Sequence, residues 1–192
     1  MNKIKYIGLD ISTSIIGICL LDSKYNLVNL HFENLKKIKC MFSKAKSIKS
    51  KLEELKESYN FEEDIKLSVE ESFQSFSKGF SSAKTLSQLN RFNGIVSYIA
   101  AEVYSVVPIY INVNSARKNL SIKLDRKSNI TTKEQIFSWV KLQEDTGDVV
   151  WPEKILKSGP NKGLVKFDES CYDMSDAYVI CKALKYDTSN NI

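Results

Sequence analysis

Four carboxylates, Asp10, Glu70, Asp173 and Asp176, each lie beside a strongly apolar run. Asp10 sits in YIGLDISTSIIGICLLD, Glu70 in IKLSVEESF, and Asp173 and Asp176 in CYDMSDAYVICKAL. Acids are rarely buried unless they are paired or bound to a cation. Four of them gathered at one point would repel one another, and a hard divalent cation such as magnesium relieves that repulsion. The chemistry such a set suits is phosphodiester hydrolysis. That reaction needs an activated water, an in-line approach and stabilisation of charge on the leaving oxygen, and two magnesium ions about 3.5–4 Å apart can supply all three. Taken singly, each acid has a simpler explanation. Asp10 before Ser-Thr-Ser could cap a turn, Glu70 could end a strand at the surface, and Asp173 could cap a helix. Taken together, the matching contexts favour a metal site.

The elements that must bring these acids together are legible from periodicity. Residues 3–11 read as a strand, 12–14 as a tight turn, 15–21 as a second strand, 22–24 as another turn and 27–32 as a third strand, an antiparallel meander. Residues 35–58 have apolar residues at helical spacing (Ile38, Met41, Phe42, Ala45, Ile48, Leu52, Leu55) and a lysine-rich outer face. Residues 65–69 form a strand that delivers Glu70 at its end. Residues 82–106 read as a helix with a broad apolar stripe, 109–113 as a strand, and 118–124 as loop or short helix. Thr131-Thr-Lys-Glu134 is a helix start, with the helix running to about Leu142. Residues 144–170 are rich in Gly, Pro, Asp and Lys and read as a loop insertion. A last helix spans roughly 172–185, and 187–192 reads as a frayed tail. The expected architecture is one α/β domain over residues 1–192, with a mixed five-stranded sheet flanked by helices. Asp10 and Glu70 emerge on one sheet edge if their strands are neighbours. Asp173 and Asp176, spaced i, i+3, share one face of the closing helix.

A chain of 192 residues is large enough for a substantial core. With 43% hydrophobic and 27% charged residues it has the composition of a soluble globular protein. The net charge of +5 fits a polyanionic partner without requiring one. Cys19, Cys40, Cys171 and Cys181 form no CxxC pair and read as reduced core residues of a cytoplasmic-type compartment. With His31 the only histidine, a structural zinc site is not expected. The longest apolar stretch, 15–21, is far short of the roughly 20 residues a bilayer requires, so no membrane association is expected.

These motifs, in order, resemble the RuvC family of Holliday junction resolvases within the ribonuclease H-like superfamily. Ile7-Gly8-Leu9-Asp10 followed by Gly17 resembles the family's opening hairpin. Ser68-Val69-Glu70-Glu71-Ser72-Phe73 resembles its strand-end glutamate, and Asp173-Met174-Ser175-Asp176-Ala177 its closing Asp-x-x-Asp-Ala. The likeness covers roughly residues 4–143 and 170–185. It implies a ribonuclease H-like fold and a homodimer that binds four-way or otherwise branched DNA and nicks two strands. It also implies Asp10, Glu70, Asp173 and Asp176 as ligands of two Mg2+ ions, with Mn2+ a plausible substitute. Adjacent Glu71 is expected on the opposite face by strand alternation. By the same resemblance Phe73 would wedge against a base, while Lys118 and Lys133, with Arg117 as a near alternative, would contact DNA. Lys78, Lys84 and Arg91, close in sequence to Glu70, are expected to meet phosphates. The 144–170 segment and the long lysine-rich helix depart from the family's compact pattern and suggest a phage, viral or divergent member.

Three rivals remain at this point. One is an RNA-processing or broader debranching nuclease of the same fold. Another is an actin- or sugar-kinase-type ATP-binding protein, which also opens on a Gly-x-Asp hairpin but needs two lobes and a second Gly-rich loop. The third is a DNA-binding module without catalysis, which would have no use for all four acids. The dimer surface expected from the sequence is the apolar stripe of the helix at 82–106.

Overall fold

The computed structural model describes residues 3–71 and 83–186. Phe73, Lys78 and the tail 187–192 lie outside the described residues. A five-stranded sheet has the order β3-β2-β1-β4-β5, with β1 at Ile4–Ile11, β2 at Ile15–Asp22, β3 at Leu27–Asn34, β4 at Phe61–Glu70 and β5 at Ile109–Ile111. β1, β2 and β3 form the expected antiparallel meander, and β4 and β5 add parallel strands on the other side of β1. The mixed α/β architecture read from the sequence is the one observed.

Alternation along the central strand divides the molecule into layers. Ile7, Leu9 and Ile11 face one apolar core, closed by α1 (Met41–Ser58) and α2 (Ala83–Tyr104). Tyr6 faces a second core built with α3 (Val113–Asn119), α4 (Thr132–Lys141) and α5 (Ser170–Ala183). Gly8 and Asp10 share the parity of Tyr6 and so look toward α5. The same alternation on β4 gives Leu67 and Val69 to the first core and leaves Ser68 and Glu70 on the α5 side.

Several boundaries differ from those expected. α1 begins at Met41 rather than at 35. Residues 35–40 instead form a turn in which the Asn34 side chain accepts from the Lys36 backbone N–H, and Leu35 is buried. Phe42, expected on the apolar face of that helix, is exposed, and Cys40 precedes the helix at the surface rather than in the core. β5 stops at Ile111 because Asn112 turns the chain, its side chain accepting from the backbone N–H groups of Asn114 and Ser115 to cap α3. The capping box of Thr131 and Glu134 forms as its sequence requires. The apolar stripe of α2 that suggested a dimer surface is spent within the chain, where Phe92, Val96, Ile99, Ala100 and Val103 are buried against β1 and α1. No described helix is long and apolar enough to cross a membrane.

The 144–170 segment is more ordered than a loop. It contains a 3-10 turn at Glu144–Thr146 and a hairpin of β6 (Glu153–Ile155) and β7 (Val165–Phe167). In the turn, Asp145 accepts hydrogen bonds from the Leu27 backbone N–H, the Tyr178 hydroxyl and the Lys182 ammonium, tying α5 to β3.

Candidate active site

β1 and β4 run parallel with Leu9 beside Val69, so the next residue on each strand is an acid, Asp10 on one and Glu70 on the other. Both strands end there, at the edge of the sheet. The two closing acids come from α5, and glycines decide how near that helix can lie. A Cβ on Gly17 would stand 2.0 Å from the Asp173 carbonyl oxygen, and one on Gly8 would stand 2.5 Å from Cys181 Cβ. No side chain of any size fits at either position, so the backbone of α5 rests directly on β1 and β2. Gly17 is itself paired with Asp10 across the hairpin, so the contact that seats α5 is directly beside the first acid.

One open cleft of about 250 Å³ results, lined by Asp10, Glu70, Asp173 and Asp176 together with Arg117 and Lys133. Asp10, Asp173 and Asp176 are only 8%, 6% and 6% exposed. The two acids of α5 are each partnered at the margin by a cation from another helix. Arg117 on α3 donates to Asp176 Oδ1 at 3.4 Å, and Lys133 on α4 donates to Asp173 Oδ1 at 3.3 Å. Burial, then the charges of Glu70, Asp176 and Asp173, push the Asp10 carboxyl well above the usual range. Burial and Glu70 raise Asp176 despite Arg117, and burial raises Asp173 despite Lys133. Desolvation pulls the Lys133 ammonium down, but the fields of Asp173, Asp10 and Asp176 outweigh it and hold it above the ordinary lysine value.

With Glu71 also on its wall, five carboxylates against two cations leave the cleft short of positive charge, and all-oxygen donors of this kind fit a hard divalent ion. Among the described residues, no three His, Cys, Asp or Glu side chains are already disposed as a ligand group. Asp173 and Asp176 are instead engaged by Lys133 and Arg117.

The remaining sequence candidates fall elsewhere. Lys118 is exposed on α3 and does not line the cleft, and Lys84 and Arg91 are exposed on α2. α2 does reach the cleft, but through Leu89 and Asn93, the latter buried and donating to the Glu70 carbonyl oxygen at 3.2 Å. Asn93 was missed, although an amide on the apolar side of a helix is a detectable signal. Glu71 also lines the cleft, against the expectation that alternation would turn it away. β4 ends at Glu70, so the period of two no longer governs the next side chain.

Comparison with solved structures matches this arrangement of strands and helices to that of Thermus thermophilus RuvC in complex with a Holliday junction substrate. The TM-score is 0.58 at 13% identity, covering 96% of this chain and 94% of the other. This chain folds like RuvC. A second Thermus thermophilus RuvC structure matches with a TM-score of 0.53 at 15% identity, covering 94% and 92% of the two chains. No protein-family model and no curated protein matches the sequence. The RuvC-like fold thus spans nearly the whole chain at an identity low enough that the likeness speaks for architecture alone.

Proposed function

We propose that this protein is a metal-dependent endonuclease acting on branched DNA, a resolvase of four-way junctions that makes paired nicks as a homodimer. The observation that carries the reading is the convergence of Asp10, Glu70, Asp173 and Asp176 from three separate segments on one cleft of a RuvC-like fold. Asp10, Glu70, Asp173 and Asp176 would hold the divalent cations, Mg2+ with Mn2+ as a substitute. Such ions supply an activated water and offset charge on the leaving oxygen. The chain's own residues do the rest. Desolvation of the acids raises their affinity for a cation. Arg117 and Lys133, now holding Asp176 and Asp173, are placed to meet the negative charge of a backbone phosphate when a cation displaces them. Lys118 on α3 and Lys84 and Arg91 on α2, all exposed, would contact flanking phosphates, with Lys78 and Phe73 contributing from the segment that follows Glu70.

The test is incubation with a synthetic four-way junction, a Y-fork, a plain duplex and an RNA–DNA hybrid, each with and without magnesium. Nicked junction products that require the metal are expected, at symmetric positions on opposing strands. Cleavage confined to the hybrid would instead identify an RNA-directed enzyme of the same fold. Intact substrates throughout would refute the nuclease reading.

A further inference from the structure

The β6–β7 hairpin has no role in the chemistry of the cleft, yet its make-up is not that of an inert loop. A two-stranded ribbon is marginal by itself, and this one is pinned at its root. Phe137 on α4 meets Trp151, Phe167 and Tyr172 edge-on, and Lys141 lies over the Phe167 ring at 4.4 Å. The root is therefore fixed to the two helices that supply Lys133, Asp173 and Asp176. Phe167 precedes Asp173 by only six residues.

Beyond the root, the two faces of the ribbon differ. One carries Ile155 opposite Val165, 63% and 58% exposed. The other sets Lys154 directly opposite Lys166. Like charges facing each other across a ladder destabilise it. Asp168 and Glu169 relieve Lys154 alone. Lys157, Lys162 and Lys166 are exposed and make no ion pair among the described residues. Lys166 on the second strand and Lys157 and Lys162 in the connection beyond the strands thus leave three unpaired cations on one short arm, a charge that a polyanion can cover.

We infer that this hairpin is a DNA-binding arm, its exposed lysines lying along the phosphates of a duplex arm next to the nicked position. The inference rests on the branched-DNA reading and adds a binding surface to it. The arm holds the duplex through its backbone, independent of base sequence, and its rigid aromatic root fixes the angle between that duplex and the cleft.

The experiment compares the full wild-type chain with a Lys157→Gln, Lys162→Gln, Lys166→Gln triple variant. Binding to a four-way junction and to a plain duplex is measured across a salt series in calcium, and nicking of the junction in magnesium. Thermal unfolding verifies that the variant is folded, as exposed substitutions require. About a tenfold or greater loss of affinity for both DNAs is expected. The slope of log affinity against log salt should become shallower by about two to three, near 0.9 for each phosphate that the variant leaves unneutralised. Unchanged affinity and slope would overturn the arm while leaving the nuclease reading intact. Wild-type protein that binds DNA but never nicks it would sink the nuclease reading and spare the arm, and wild-type protein that binds no DNA would sink both. A wild-type dimer that Ile155→Lys splits, with DNA binding indifferent to the three glutamines, would assign the hairpin to the interface between copies and reject the inference.

Discussion

The two faces of the central sheet are built on opposite principles. Toward α1 and α2, β1 presents Ile7, Leu9 and Ile11, and bulk fills the space between layers with Ile48, Leu52, Phe92 and Val96. Toward α5, the same strand presents Tyr6, Gly8 and Asp10, and bulk is withheld so that a helix backbone can touch a strand backbone. The first face maximises buried apolar area. The second gives up some of that area for closeness, and with closeness comes a cluster of desolvated acids. Apolar bulk and the acid cluster are thus separated across a single strand, one residue apart.

That separation can be broken or sharpened experimentally. Asp10→Asn is expected to abolish nicking while leaving DNA binding in place, read by gel electrophoresis and by anisotropy. Because burial and three neighbouring carboxylates disfavour its charge, the same change should raise the melting temperature of the metal-free chain, by about 2–4 °C for each kcal/mol of repulsion relieved. Magnesium should stabilise the wild type more than the variant. Gly17→Ala places a methyl group against the Asp173 carbonyl. Its expected cost is about 100-fold in nicking rate, since a shift of ~1 Å in a reacting group suffices for that, with about 1–3 kcal/mol of overpacking seen in urea unfolding. Leu52→Ala, on the other face, should lower stability by about 2–5 kcal/mol yet leave the nicking rate per folded molecule unchanged. A large rate loss there would show that the faces are coupled.

The smallest effect concerns pH. Desolvation, then Lys51, lowers the His31 pKa, and the ring contacts the Tyr59 hydroxyl at 3.0 Å. A group lowered in the folded state contributes stability that is present above its unfolded value, near 6.5, and is lost as pH falls through the lowered one. Urea midpoints should therefore fall below about pH 6.5, and His31→Gln should flatten that dependence.

The acids and the meander were legible because each is a local pattern with a mechanical reason, whereas Gly17 stood out only through the family resemblance of the opening hairpin. α5 was only half legible. Its sequence showed one face, with Asp173 and Asp176 together, whereas α3 and α4 cover the helix as well as the sheet and nearly every residue is buried. Burial by partners distant in sequence leaves no local trace. The β6–β7 hairpin was missed for another reason. Its strands are three residues each, too short for alternation to show, and Gly159, Pro160 and Gly163 dominate the composition. The readable clue was Trp151 with Phe167, large aromatics that a solvated loop does not need. Asn112 was a short-range signal overlooked: an amide after an apolar strand is a helix cap as readily as a strand end.

The direct seating of α5 on Gly8 and Gly17 makes helix height and the placement of the two closing acids one mechanical variable. Asp173 and Asp176 travel with the helix as a rigid pair, so any wedge beneath it lifts both at once, whether at Gly8, at Ala177 or on the buried Cys181 thiol that packs there. On the proposed nuclease reading, a lesion of that kind would keep its secondary-structure spectrum and its affinity for DNA, and would cost far more at the scissile bond than in stability.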